Sequence, residues 1–188
     1  MLTQVLTVAA VLALVAVAAV AILGLAFFLG MRMKSPIVQG PVIWLSKRFV
    51  NPRQLQSAGA PGASASVIRN VGRTSGRTYE TPVGIVAAGD DFVIALPYGT
   101  RPNWLRNVLT AGSATIVHEG ATLAVDQPRI VAMATVESSF SVADQRSHRL
   151  FGVDQCLLLR PATTPAPEAV AGRGQAATVA TWAESPLA

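Results

Sequence analysis

The sequence predicts a mainly β fold of the α+β class, a small antiparallel barrel with short helices, preceded by one N-terminal transmembrane helix. Three observations predict it. The first thirty residues are almost purely apolar. Between residues 66 and 160, short apolar runs alternate with polar positions and are separated by glycine-containing turns, the signature of antiparallel strands. Only two internal stretches, 103–111 and 134–149, carry helical spacing. At 188 residues there is room for one domain of ordinary size, and the hydrophobic share of 51% overstates its core because the N-terminal run supplies much of it.

Residues 2–31 contain no charged side chain, and only Thr3, Gln4 and Thr7 are polar. Crossing a bilayer takes about 20 apolar residues, and Gly24 and Gly30 are compatible with a membrane helix. A cleaved signal peptide would have a basic start, an apolar run of about 7–15 residues and a small-residue cleavage site. Here no Lys or Arg precedes the run, which ends in Phe27-Phe28-Leu29. Residues 1–31 are therefore expected to be an uncleaved single-pass anchor.

Charge orients it. Residues 32–60 carry Arg32, Lys34, Lys47, Arg48 and Arg53 and no acid, which accounts for the net +5 of the whole chain. The positive-inside rule places that flank, and the domain behind it, on the cytoplasmic face of the plasma membrane. The same charges are expected to hold the segment near an anionic lipid surface, at about 1 kcal/mol per charge. No aromatic residues interleave a basic stripe, so nucleic acid is not an expected partner. The single cysteine, Cys156, excludes an internal disulfide and fits a reducing compartment; its setting, Gln155-Cys156-Leu157-Leu158-Leu159, reads as a strand with a buried structural thiol.

Residues 32–64 form a basic juxtamembrane connector. Within it, 43–50 reads as a short amphipathic helix ended by Asn51-Pro52. Trp44 and Phe49 fit either headgroup level or a contact with the domain. Residues 58–66, rich in Gly, Ala and Ser, read as a flexible lead-in. The domain, 65–161, shows strand patterns at 66–71, 78–87 and 91–97, the last two joined by a turn at Ala88-Gly89-Asp90-Asp91. A helix follows at 103–111, with Asn103 as its cap and Gly112 as its stop. Strands recur at 114–118 and 121–132 around Glu119-Gly120, then a polar helical stretch at 134–149 and a closing strand at 154–160. The remainder, 162–188, has few large apolar groups and is expected to be disordered.

The chemistry concentrates between 69 and 107. Gly72-Arg73-Thr74-Ser75-Gly76-Arg77 is a glycine-bracketed turn with two guanidinium groups and two hydroxyls, suited to a phosphate or carboxylate. It is not a P-loop, because the lysine-serine/threonine ending and the helix behind it are missing. On residue chemistry alone it reads equally as an anion site or a solvated turn. Arg69, one strand earlier, is a possible addition. Pro82 inside Thr81-Pro82-Val83 belongs on an edge strand or a bulge. Tyr98-Gly99-Thr100-Arg101 offers an aromatic face, a phenol and a guanidinium at a helix N-terminus. No His/Cys/Asp cluster has metal-ligand spacing, so no metal is expected. There is also no G-x-S-x-G elbow and no Ser/His/Asp set, and any redox chemistry would belong to a bound cofactor.

Taken with Pro82-Val83, Tyr98-Gly99, Trp104-Leu105-Arg106-Asn107 and the Phe151-Gly152-Val153 close before the last strand, residues 44–161 resemble the deazaflavin-dependent nitroreductase and quinone reductase family. The resemblance implies a split β-barrel of the flavin-reductase/pyridoxamine-oxidase type that binds coenzyme F420. It implies hydride transfer to an electron-poor acceptor, namely a quinone (a lipid quinone among them), a nitroaromatic or an enone. It assigns the coenzyme to Arg73, Thr74, Ser75, Gly76, Arg77, Thr81, Pro82, Val83, Tyr98, Gly99, Arg101 and Asn107, with Tyr98 also as a catalytic proton or hydrogen-bond donor and Trp104 in packing. Family members often carry lysine where Thr74 or Arg77 stands; Arg77 preserves that charge and Thr74 removes one. The alternatives are a non-catalytic split barrel binding FMN, haem or a lipid-like ligand, and a membrane-associated interaction module with no small ligand.

Overall fold

The computed structural model describes residues 1–163. It opens with α1 (Leu2–Arg32), a helix of 31 residues. Its segment Leu6–Arg32 reaches a mean hydropathy of 2.9 and its most apolar stretch has no buried residue, so it is long and apolar enough to cross a membrane, a test that a signal sequence also passes. At 1.5 Å per residue the helix is about 46 Å long against a hydrocarbon core of about 30 Å.

The connector is more helical than its sequence predicts. A short break follows α1, then α2 (Pro36–Leu45), a π-helical turn (Ser46–Val50) and α3 (Asn51–Gln54) run on without interruption. Asn51-Pro52 does not end the helix as expected. Pro52 comes directly after the π-helical turn, and the chain passes its missing N–H without leaving the helical course. Trp44 is 63% exposed and Phe49 45%, and the two rings meet edge-on at 6.3 Å, packing on each other.

The domain is a single seven-stranded antiparallel sheet: β1 (Ser66–Val71), β2 (Thr78–Val83), β3 (Ile85–Ala88), β4 (Asp91–Ala95), β5 (Ser113–His118), β6 (Ala121–Ala132) and β7 (Gln155–Pro161). Their spatial order is β2-β1-β5-β6-β7-β4-β3. The two edge strands, β2 and β3, are separated in sequence by Gly84 alone. A connection that short requires the sheet to curl until its edges meet, which is the geometry of a half-barrel. Curvature is also built into β6, whose first half pairs with β5 and second half with β7 across a register shift between Asp126 and Arg129. Pro82 lies on β2 and so at a sheet edge, as its missing donor demands.

Helix α4 (Asn103–Ala111) closes one face of the sheet; on the other pack Met133, Phe140 and Val153, from the segments on either side of α5 (Val142–Phe151), which itself buries no residue. Neighbouring residues on β4 and β7 therefore enter different cores. Ile94 and Leu157 join Ile68, Leu105, Val108 and Ile116, whereas Val93 and Cys156 join Met133, Phe140 and Val153. Two-sided burial explains why 155–159 reads as a continuous apolar run. The first half of 134–149, expected as one helix, forms two 3-10 turns before α5 begins. Cys156 is fully buried and burial pushes its thiol up to about 11. It is expected to resist iodoacetamide at pH 8 until the protein unfolds, because the thiolate is the reactive form; rapid alkylation of the native chain, read by mass spectrometry, would contradict this burial.

Two further contacts bear on the site. The end of α1 is fastened to α5: Arg32 Nη1 donates to the Arg149 and Leu150 carbonyls at 2.8 and 2.6 Å, and Phe28 packs on Phe151 at 5.8 Å. Lys34 pairs with Asp154 and holds its carboxyl below the usual range. The expected flexible lead-in is docked as well. Gly59 N–H donates to the Ala65 carbonyl at 2.8 Å, and Gly120 N–H donates to the Gly59 carbonyl at 2.6 Å. Of the expected disordered tail, 164–188 lie outside the described residues; Ala162 N–H bonds to the Ala124 carbonyl at 2.9 Å and so extends the ladder.

Candidate functional site

The basic turn between β1 and β2 is held by its own backbone and by α4. Gly72 N–H donates to the Arg77 carbonyl at 2.7 Å, and Gly76 N–H to the Gly72 carbonyl at 2.8 Å. Both glycine N–H groups are thus spent on closing the turn and are not offered to an anion. Gly72 also has no room for a side chain: a Cβ would stand 2.5 Å from Ser75 Oγ and 2.6 Å from the Tyr79 ring. Ser75 Oγ and Tyr79 OH lie 3.0 Å apart, which ties the turn to its own strand.

Asn107 is the clamp. Its Oδ1 accepts from Arg73 N–H at 3.3 Å and from Arg73 Nη1 at 3.0 Å, while its Nδ2 donates to Asn70 Oδ1 at 2.9 Å. Asn107 is 5% and Asn70 3% exposed, so this is a buried polar relay from the β1 core position to the turn. The resemblance puts Asn107 at the coenzyme; here both ends of its amide are engaged within the chain, and it positions Arg73. Asn70 was not foreseen. Its signal was present, however: an amide at an inward-facing strand position two residues from Ile68, where alternation calls for an apolar side chain. Its Nδ2 has no hydrogen-bond partner among the described residues.

What remains free defines the chemistry. The N–H groups of Thr74 and Ser75 and the Arg77 guanidinium have no partner among the described residues, and Arg73 keeps donors beyond Nη1. Arg101 and Arg106, at the start and on the exposed side of α4, are likewise unpaired among the described residues. Arg106 is not among the residues the resemblance assigns to the coenzyme. Arg69 does not join the set, because its Nε pairs with Glu80 Oε1 at 2.6 Å across the β1–β2 ladder. The result is a cationic turn of fixed shape with no acid paired to it among the described residues, which suits a phosphate or a carboxylate.

The other expected residues divide. The loop Tyr98-Gly99-Thr100-Arg101 leads into α4, whose helical cap position is Pro102 and not Asn103. About 7.5 Å of helix rise separates that cap from the Asn107 clamp, so α4 carries the loop and the turn as one unit. Tyr98 is half-buried and its hydroxyl has no partner among the described residues. Trp104 packs against the core as expected. Thr81 and Pro82 are half-buried on the edge strand, and Val83 sends its side chain into the core, leaving only its backbone for a ligand. Pro82 lies five residues along β2 from Arg77, about 17 Å at strand rise. One molecule can touch both only if it is elongated, with an anionic portion at the turn and another portion at the edge strand. A surface concavity lies elsewhere, lined by Ala88, Asp90, Asp91, Arg160 and Pro161, and contains the Arg160–Asp91 ion pair.

No family model matches the chain, and no curated protein matches it. Solved structures with a similar course include an F420-H2-dependent reductase (FDR-A), 13% identical over 52% of this chain and 94% of that one, with a TM-score of 0.41. An F420 reductase is 13% identical over 57% and 91%, with a TM-score of 0.38. A 5-nitroimidazole antibiotic resistance protein, so described provisionally, from Bacteroides thetaiotaomicron is 9% identical over 53% and 74%, with a TM-score of 0.39. With every TM-score below 0.5, none of these likenesses bears on activity.

Proposed function

We propose that this chain is a membrane-anchored oxidoreductase that transfers a hydride from reduced coenzyme F420 to an electron-poor acceptor, a quinone, a nitroaromatic or an enone. The observation that carries it is the Arg73–Arg77 turn, clamped through Asn107 and left without an acidic partner among the described residues. The donor set fits the coenzyme's phosphate and acidic tail, and the spacing between turn and edge strand fits an elongated ligand with a planar head. The orphaned, buried Asn70 Nδ2 is a further donor on the wall behind the turn.

When bound, the reduced deazaflavin supplies the hydride. The chain's own work is binding and orientation. Arg73, Arg77, Thr74 N–H and Ser75 N–H grip the phosphate side, and Arg101 reaches the acidic tail. Thr81, Pro82 and the Val83 backbone border the ring, beside Gly99. Tyr98 holds a hydroxyl proton at the mouth of the site for the reduced acceptor. The anchor and the basic connector keep the domain on the cytoplasmic face, close to acceptors dissolved in the bilayer.

The test is titration of the full chain in detergent micelles with oxidised coenzyme F420, followed by Trp fluorescence, with FMN and haem alongside. Saturable binding is expected, and Arg77→Ala is expected to weaken it about 10- to 100-fold, the range of one charged hydrogen bond of about 1.5–3 kcal/mol. Saturation by FMN or haem but not F420 would transfer the site to that cofactor. Binding of none would leave a membrane-associated interaction module.

A further inference from the structure

Three buried side-chain nitrogens have no partner among the described residues: Asn70 Nδ2, His148 Nδ1 and Gln39 Nε2. Asn70 belongs to the turn already described. His148 is boxed by the Phe140 ring, edge-on at 4.8 Å, on the face of the sheet away from α4. Gln39 has no such explanation.

Gln39 is the one residue that α2 buries, at 2% exposure, while Ile37 stands 84% exposed, Trp44 63% and Leu45 51%. A helix docked by the hydrophobic effect turns its apolar side inward and its amides out. Here a polar side chain is turned in and its donor left unmade. On one side α2 packs against α1, where a Cβ on Gly30 would run into Val38, and Val38, Val42 and Ile43 are half-buried; the attachments at the two ends of the segment tell what else it adjoins. At one end, Lys34 adjoins the Tyr98 loop, since a Cβ on Gly99 would sit 3.8 Å from the Lys34 side chain. At the other end, α3 packs against β2. The helix between them therefore spans the gap between the loop and the edge strand, the two elements that border the ring in the reading above.

We propose that α2 is a wall of the ligand site and that Gln39 is a ligand-binding residue, its Nε2 donating a hydrogen bond to a carbonyl oxygen of a planar ring. A burial that costs an unmade hydrogen bond in the empty chain is made good when a ring carbonyl enters. That chemistry has two sources, the coenzyme's own ring and a quinone acceptor. The identity of the ring rests on the proposed function, whereas the unsatisfied donor does not.

The experiment uses the full chain in dodecylmaltoside micelles and Gln39→Met, which keeps the length and removes the amide. Three quantities are read: thermal unfolding without ligand, and Trp quenching on titration with oxidised F420 and, separately, with menadione. The variant is expected to unfold at or above the wild-type temperature and to bind one of the two ligands at least tenfold more weakly. Weakening confined to menadione identifies the acceptor as Gln39's partner; weakening confined to F420 identifies the coenzyme ring. Unchanged affinity for both, or a lower unfolding temperature with both affinities reduced alike, would overturn the proposal, as would a wild-type chain that binds neither. A wild-type chain that binds menadione but not F420 refutes the coenzyme reading, and the menadione arm still decides Gln39.

Discussion

Replacing Asn107 by alanine is expected to destabilise the fold by about 2–4 kcal/mol and to weaken coenzyme binding about 100-fold. One amide makes three hydrogen bonds here, two to Arg73 and one to Asn70. Its loss newly orphans the buried Asn70 Oδ1, at about 1–3 kcal/mol, and strips two donors of Arg73 of their acceptor. It also frees Arg73, so the turn must be ordered by the ligand at the ligand's expense. The double variant Asn70→Leu/Asn107→Leu separates the two effects. Removing both partners together is nearly neutral for stability when shape is kept, so thermal unfolding should recover most of the loss while F420 affinity stays low. If the double variant bound like wild type, the clamp would have no part in binding and the relay would be packing alone. The pair is in direct contact, so the single effects should not add.

The relay also marks how far the sequence could be read. Antiparallel strands were legible because alternation and turn chemistry are local: β1 and β6 fall at their predicted bounds, and Glu119-Gly120 turns with positive φ at both residues, as a two-residue hairpin requires. The cationic turn was legible for the same reason, since two arginines and two glycines within six residues are chemistry in one place. Its mechanical support was not. Asn107 lies thirty-four residues from Arg73 and thirty-seven from Asn70, and nothing local says that one amide will serve both. Composition misled in the connector. Small residues at 58–66 look like a flexible linker, yet Gly59 among them is small because the neighbouring hairpin presses on it. The burial of Gln39 in α2 was invisible too, because helical spacing gives a face and not the partner of that face.

The connector carries the second large expectation: Gly59→Val should cost about 3–4 kcal/mol. Gly59 has φ +83°, and a Cβ there would meet Val117 Cγ1 at 2.7 Å and the Val117 carbonyl oxygen at 2.9 Å. The left-handed backbone alone costs a β-branched residue about 1–2 kcal/mol, and the collision with a sheet carbonyl, which cannot swing away, adds about 1–3 kcal/mol. Gly62 is the matched control, because its φ is +71° with nothing within 4 Å of a Cβ. Gly62→Val should show the backbone cost and little else, so the difference between the two unfolding temperatures measures the collision. Releasing Gly59 breaks its bonds to Ala65 and Gly120, and trypsin should then cut faster after Arg53, the nearest basic residue of the connector. Pinned through Lys34 at one end and through α3 and Gly59 at the other, α2 can present Gln39 at a fixed position. Freed at the second end, it can do so only at an entropic cost. In Gly59→Val the further substitution Gln39→Met should therefore change ligand affinity less than it does in the wild type. Equal effects in both backgrounds would mean that the docked segment does not hold the helix in place.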